Sequence, residues 1–255
     1  MDDLHCILAD SYQNLKTLGW EPLHPNPRTS SAIQPQLYFG RAMFINTTES
    51  GLRRVIVMSG CTNKNETKKC CTEVQEWSLD DMTVRKLDPL DPPRTSFSCV
   101  REIGSRHIYV LGGNAMGAQG TLDDVRRLDI FKKKWEKMPN MNHARANNAA
   151  FILKNYLYAV GGYSNSYSSS SVQCSIERLC LSRLQGWEIL NMNQQDGTLK
   201  ACQYAHCISS DTKTEILLFG GWYTGQTMKA IDLVTIDANG KDASLQPYES
   251  TFSMR

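Results

Sequence analysis

The sequence lacks the features that direct a chain into or across a membrane. No stretch approaches the length of about 18 consecutive apolar residues that a transmembrane helix requires. The N-terminus, MDDLHCILAD, has neither the basic region nor the long apolar run of a signal peptide. An excess of one charge is also missing, because 28 Lys and Arg stand against 26 Asp and Glu, a formal charge of +2. We therefore expect a cytoplasmic protein with neither a membrane nor a nucleic-acid partner.

Residue patterns typical of metal and catalytic sites are sparse. None of the nine cysteines forms a Cys-x-x-Cys pair, and the five histidines do not supply the missing zinc ligands. The cysteines are therefore expected to be reduced thiols. No Gly-x-Ser-x-Gly motif occurs, and no glycine-rich phosphate loop precedes a helix. We predict that the chain binds no metal and no cofactor and is not an enzyme.

A fourfold repeat is the informative feature of the sequence. Four apolar runs end in small-residue doublets, whose second glycines are 53, 49 and 59 residues apart. A polar loop follows each doublet, then an alternating strand, and then a bulky residue: Val84, Trp135, Trp187 or Leu245. Arg94 and Arg145 come ten residues after the first two of these bulky residues. Short strands at regular spacing, rich in Val, Ile, Tyr and Phe, predict an all-β fold with four strands in each unit.

The combination of doublet, second strand, tryptophan and arginine resembles the kelch repeat of β-propellers. The stretch from Met138 to Trp187 resembles the family unit most completely, and the resemblance extends over nearly the whole chain. It implies four full kelch blades within 36–255, at about 36–90, 94–140, 145–192 and 200–246, and a C-terminal tail. We predict structural roles for the motif residues, which are Gly60, Gly112, Gly113, Gly161, Gly162, Gly220, Gly221, Trp20, Trp135, Trp187, Arg94 and Arg145.

The number of blades predicts an incomplete or small ring. Residues 1–23 are interpreted as the outer half of an earlier blade, with an N-terminal helix as the alternative. The proline-rich residues 24–35 then connect this half blade to the first full blade. Four and a half blades leave strand edges open, and open edges pair with other chains. We expect the missing strands to come from a longer chain, a partner or a second copy.

The loops of a rigid propeller are where binding is expected. Ser96 and Asn147 are carried over by position from similar propellers, because each lies two residues after a motif arginine. The loops after the doublets add further polar and aromatic candidates: Asn114, Tyr163, Tyr167, Trp222 and Tyr223. These residues predict a non-enzymatic module that binds a peptide or protein partner. Substrate recognition for a ubiquitin ligase is the finer hypothesis, cytoskeletal or scaffold binding is the alternative, and a sugar epimerase-like enzyme is a third reading.

Overall fold

The structure, a computed structural model, describes thirteen segments of the chain. They are residues 41–46, 53–64, 67–81, 83–102, 104–115, 120–164, 172–193, 206–209, 215–219, 222–223, 226–227, 231–237 and 240–247. All regular secondary structure in these segments is β-strand, so the prediction of an all-β fold is confirmed. They contain no helix of a length and apolarity that would let it cross a bilayer. The predicted half blade at 1–23 with Trp20, the connector at 24–35, and Gly220 and Gly221 lie outside the described residues.

Blades 1 and 2 are four-stranded antiparallel sheets. Blade 1 consists of β1 (Arg41–Asn46), β2 (Arg53–Lys64), β3 (Thr67–Ser78) and β4 (Val84–Lys86). Blade 2 consists of β5 (Ser98–Arg101), β6 (His107–Leu111), β9 (Val125–Asp129) and β10 (Lys134–Met138). Between β6 and β9, the short strands β7 (Asn114–Ala115) and β8 (Gly120–Thr121) form a hairpin after the glycine doublet.

Blades 3 and 4 repeat this meander. Blade 3 consists of β11 (Ala149–Leu153), β12 (Tyr156–Val160), β13 (Ile176–Cys180) and β14 (Trp187–Ile189). Blade 4 contains β16 (His206–Ser209), β17 (Glu215–Phe219), β20 (Ile231–Ile236) and β21 (Asp242–Pro247). After its doublet position, β18 (Trp222–Tyr223) pairs with β19 (Gln226–Thr227), which gives the same hairpin arrangement as in blade 2.

Blade 4 differs from the predicted four-stranded unit because it has a fifth strand. The segment β15 (Asn191–Asn193) leaves blade 3 and runs parallel to the outer strand β21 of blade 4. The backbone N–H of Asn191 donates to the Lys241 carbonyl at 3.0 Å, and its side-chain amide donates to Asp242 Oδ1 at 3.0 Å. The connection between the two blades therefore covers an outer edge that would otherwise carry unpaired backbone groups.

The cores lie between the blades, because alternation along a strand gives each sheet two apolar faces. On β6, Ile108 and Val110 join a buried cluster with blade 1, whereas Tyr109 and Leu111 join a cluster with blade 3. We call the face towards the preceding blade the backward face and the other the forward face. Three such clusters join blades 1 and 2, blades 2 and 3, and blades 3 and 4.

The first strand of each blade lies beside the first strand of the next. In chain order, β1 contacts β5, β5 contacts β11, and β11 contacts β16. The blades therefore stand side by side in the order of the sequence, with their first strands on the same side. This arrangement brings the connecting loops of successive blades together at one end of the strands.

Candidate functional site: the loop face beside the glycine doublets

The two connecting-loop candidates meet in the structure. Ser96 and Asn147 both adopt a left-handed backbone conformation, with φ of 55° and 53°. This conformation is uncommon for residues other than glycine, and asparagine tolerates it better than most. The backbone N–H of Asn147 donates to the Ser96 carbonyl at 2.7 Å. The equivalent loops of blades 2 and 3 are thus joined directly, and together they form the centre of the loop face.

Each connecting loop also pairs with the loop after the glycine doublet of its own blade. Thr95 and Asn114 exchange two backbone hydrogen bonds of 2.9 and 2.8 Å. Ala146 and Tyr163 exchange the equivalent bonds, of 2.9 and 3.0 Å. We define the loop face by the segments 95–97, 113–115, 146–148 and 162–163. It presents residues from two loops of each of two neighbouring blades.

Arg94 is a buried residue whose side chain binds the loops of blade 2. Its side chain has no exposed surface, and its guanidinium donates to the Gly112 carbonyl at 3.0 Å and to Pro92 O at 3.1 Å. It also forms an ion pair with Asp124 Oδ2 at 2.5 Å. Burial lowers the pKa of Arg94 from its usual value, while the hydrogen bond that Arg94 donates to Asp124 opposes that shift. The arginine therefore ties the end of the second strand to the start of the third.

Arg145 does the same in blade 3 with a different carboxylate. Its guanidinium donates to the Gly161 carbonyl at 2.7 Å, to Ser175 Oγ at 2.8 Å and to Glu177 Oε1 at 2.8 Å. Both side chains of the Arg145–Glu177 pair are fully buried. The second carboxylate oxygen of Glu177 accepts the backbone N–H of Asn142 at 2.7 Å. Arg145 is thus a charged anchor inside the fold, positioned directly before the loop that carries Asn147.

The doublets have to be glycine because connecting loops pass directly over them. A Cβ on Gly112, whose φ is +61°, would overlap the carbonyl oxygen of Arg145. A Cβ on Gly113 would lie 2.8 Å from the Thr95 carbonyl oxygen. The N–H of Gly113 donates to the Arg145 carbonyl at 2.8 Å, so the doublet of blade 2 also binds the connecting loop of blade 3. Backbone therefore packs on backbone at this point, which no other residue type permits.

Asn147 carries the chemistry that a ligand could use. Its side chain is 3% exposed, and its Nδ2 has no hydrogen-bond partner among the described residues. A buried donor without a partner costs about 1–3 kcal/mol, so an acceptor supplied from outside would be favourable. Ser96 beside it is partly exposed and offers a hydroxyl group. The two side chains give this end of the propeller polar groups for hydrogen bonding.

The remaining binding candidates lie in different environments. Asn114 is partly exposed, but Tyr163 is only 1% exposed, which differs from the surface position that we predicted for its ring. Backbone bridges to Ala146 and Val172 on either side draw Tyr163 into the interior. Trp222 and Tyr223 form β18, and Tyr167 lies outside the described residues. A role of these residues in binding remains a prediction.

The motif tryptophans attach each blade to the connection before it. Trp187 is 8% exposed and its indole Nε1 donates to the Pro139 carbonyl at 2.9 Å. Trp135 is partly exposed and donates in the same way to the Asp88 carbonyl at 2.9 Å. Both indoles therefore join the outer strand of their blade to the chain that leaves the preceding blade.

Sequence reasoning missed the carboxylates that hold the arginines, Asp124 and Glu177. Asp124 lies directly before the third strand of blade 2, whereas Glu177 lies within the third strand of blade 3, so their spacing carried no repeat signal. It also missed Trp77 in blade 1. Trp77 lies directly opposite Val84, the residue that replaces the motif tryptophan, so the large side chain has moved to the neighbouring strand. Within the described segments, no group of three or more His, Cys, Asp or Glu side chains is placed to hold a metal ion.

The fold and the loop face define a β-propeller built from repeated blades, and comparison with known proteins shows similarity to kelch-repeat proteins. The Kelch motif family model matches residues 103–142. Kelch-like protein 9 of Mus musculus is 30% identical over 126 residues, 48% of this chain and 18% of that protein. Kelch repeat and BTB domain-containing protein 1 of cowpox virus (strain Brighton Red) is 27% identical over 164 residues, 63% of this chain and 27% of that protein. The chain carries a Kelch motif and is similar to kelch-repeat proteins, as the repeat predicted.

A solved structure supports the same fold. The structure of YjhT aligns with this chain with a TM-score of 0.62 and 14% sequence identity. The alignment covers 85% of this chain and 66% of the YjhT chain. The predicted kelch-type β-propeller is therefore confirmed. The kelch-repeat relatives support a protein-interaction module. The chain spans only 18% and 27% of the length of these two curated relatives, so the activity and partners of the whole relatives are not transferred to it.

Proposed function

We propose that the chain binds a peptide or protein partner through the loop face and does not act as an enzyme. The observation that carries this proposal is the hydrogen bond from Asn147 N–H to the Ser96 carbonyl, which joins equivalent loops of two blades. A rigid scaffold that holds short polar loops side by side favours recognition over chemistry. Among the described residues the Asn147 Nδ2 has no hydrogen-bond partner, which favours a ligand with hydrogen-bond acceptors, such as the carbonyl groups of an extended peptide.

The finer role that we propose is substrate recognition for a cullin-type ubiquitin ligase in the cytoplasm. The cowpox relative carries a BTB domain according to its name. In similar propeller proteins, an adaptor domain docks the ligase while the propeller selects the substrate. Cytoskeletal or scaffold binding uses the same loop face and is the alternative. A sugar epimerase-like enzyme is the third candidate, although the kelch-repeat fold serves mainly for interaction.

The test uses substitutions that keep the backbone conformation and remove only the side chain. Asn147→Gly and Ser96→Gly both suit a left-handed residue, so the fold should tolerate them. Lys154→Gly is the matched control, because Lys154 is exposed, has φ of 47° and lies in the turn at the opposite end of blade 3. Peptides selected from a random library on the wild-type chain would serve as the probe.

We expect Asn147→Gly to weaken binding of the selected peptides by about tenfold or more, equivalent to about 1.4 kcal/mol. Lys154→Gly should leave the affinity unchanged. Equal binding by the wild-type chain and both loop-face variants would contradict the loop-face proposal. Co-purification of a cullin from cells that express the full chain would distinguish ligase recognition from scaffold binding. Turnover of a sugar by the purified chain would favour the epimerase alternative.

A further inference from the structure

Successive blades pack with the forward face of one against the backward face of the next. On the second strand, the backward positions are occupied by Ile108 and Val110 in blade 2, with equivalent residues in blades 3 and 4. All six side chains at these positions are fully buried: Ile108, Val110, Leu157, Ala159, Ile216 and Leu218. Wherever a preceding blade is present, the side chains at these positions are therefore completely buried.

The backward face of blade 1 is the exception. Val55 and Val57 occupy the equivalent positions on β2, yet both are partly exposed and belong to none of the three clusters. Their neighbours Ile56 and Met58, which face blade 2, are fully buried. Trp77 lies opposite Val55 and beside Val84 on the same face, and both are partly exposed. Blade 1 thus presents an apolar surface of Val55, Val57, Trp77 and Val84 where a preceding blade would pack.

The shape of this surface resembles the covered ones. In blades 2 and 3, Leu128 and Leu179 on the third strand face Trp135 and Trp187 on the fourth. In blade 1 the large residue is Trp77 on the third strand and the small one is Val84 on the fourth. The pair of one large and one small apolar side chain is kept, with the two positions exchanged. A face that retains this pair is suited to packing rather than to exposure.

We propose that residues 1–23 of this chain cover the backward face of blade 1 as the preceding half blade. Each described blade packs on the one that precedes it in the sequence, so the segment before β1 is on the correct side. The connections from β4 to β5 and from β10 to β11 take eleven and ten residues, whereas 17 residues separate Leu23 from Arg41. The connection is therefore long enough. Tethering also gives the segment a high effective concentration, which favours it over a second copy.

The segment has the side chains that such a surface requires. Its large apolar residues include Leu4, Ile7, Leu8, Leu15, Leu18, Trp20 and Leu23. Its start, Asp2-Asp3-Leu4-His5, resembles Asp123-Asp124-Val125-Arg126, where Val125 begins the third strand of blade 2 and is fully buried. In this register Leu4 takes the position of Val125, which packs against the following blade. The same register therefore points Leu4 towards blade 1.

Hydrogen–deuterium exchange of the full-length chain tests the proposal. Amides within 1–23 should exchange at least about tenfold more slowly than the rate for an unstructured peptide. Val57→Asp should return them to the unstructured rate, because a carboxylate on the covered face would remain without a partner. Ile189→Asp is the matched control: Ile189 lies on the outer strand of blade 3 and is 50% exposed, so protection of 1–23 should persist.

The other possible results of the exchange experiment also decide whether residues 1–23 cover the backward face of blade 1. Unprotected amides at 1–23 in the wild-type chain would overturn the proposal by themselves. Protection that disappears on dilution, together with dimers in light scattering, would show that a second copy covers the face instead. If Val57→Asp also unfolds β12 in blade 3, Ile7→Asp replaces it, and exchange should then increase in the β3 peptide that contains Trp77. Unchanged exchange of that peptide in Ile7→Asp would likewise refute the assignment.

Discussion

Replacing Arg145 by methionine should strongly destabilise the fold, and by more than the same change at Arg94. The change leaves the Asn142 N–H as the remaining hydrogen-bond donor to the fully buried Glu177 carboxylate among the described residues, and it removes the donor to the Gly161 carbonyl. Removing one member of a buried ion pair costs about 3–5 kcal/mol. We expect Arg145→Met to reduce the free energy of unfolding by that amount.

Arg94→Met is the informative comparison, because Asp124, the carboxylate partner of Arg94, has a second arginine to pair with. Asp124 also accepts a hydrogen bond from Arg126 Nε at 2.9 Å, and its side chain retains 10% exposure. The charge therefore keeps one cation and some contact with water after the substitution. We expect a loss of about 1–3 kcal/mol, typical of a buried polar group that loses one partner.

Equilibrium unfolding in urea, followed by tryptophan fluorescence, measures both losses. Adding Glu177→Gln to Arg145→Met should recover part of the stability, since the buried charge is then gone. A loss of less than about 1 kcal/mol for Arg145→Met would show that the pair contributes little. An equal or larger loss for Arg94→Met, or a further loss on adding Glu177→Gln, would refute the argument from buried charge.

Three further changes follow from the same contacts. Trp187→Ala should reduce the free energy of unfolding by about 3–5 kcal/mol, and Trp135→Ala, at a more exposed position, should reduce it by less. If urea unfolding shows a reduction under about 1 kcal/mol for Trp187→Ala, this side chain lies at the surface. Gly112→Ala should lower the melting temperature far more than Gly186→Ala, because only the first Cβ overlaps a neighbouring backbone; equal melting temperatures would contradict this. Burial alone would raise the pKa of Asp124, but hydrogen bonds from two arginines outweigh it and hold that pKa below its usual value. The stability that Asp124 contributes is therefore present above about pH 4 and is lost as pH falls through the lower, folded-state pKa, so Asp124→Asn should flatten the acid side of a stability profile.

The fold was predictable because its determinants are local and repeated. The alternation of Ile108 to Leu111, the glycines that end the strand and the arginine after the tryptophan are all read within one unit of the sequence. Four units in register make the pattern unambiguous, since each confirms the spacing of the others. Ser96 and Asn147 were predicted as binding residues from their position relative to these markers, and their role in binding stays a prediction.

Other features depend on which side chains meet after folding. Asp124 holds its arginine from the residue before the third strand, whereas Glu177 holds the equivalent arginine from within that strand, so no spacing identifies the two carboxylates. The pairing of β15 with β21 depends on where the connection from blade 3 meets the outer edge of blade 4, which local propensity does not specify. The sequence likewise does not specify which loop side chains are exposed, because the exposure of each side chain depends on the loop that packs beside it.

By itself, the sequence determined the class of fold, the repeat register and the residues that mark each blade, because strand alternation and glycine requirements are local properties of the backbone. Only the tertiary structure decided that Tyr163 turns inward, that Asn147 donates to the Ser96 carbonyl, and that Val55 and Val57 are left partly exposed. These outcomes arise between loops and sheets that are distant in the chain, where burial and hydrogen bonding are set by the partner that packs against each surface.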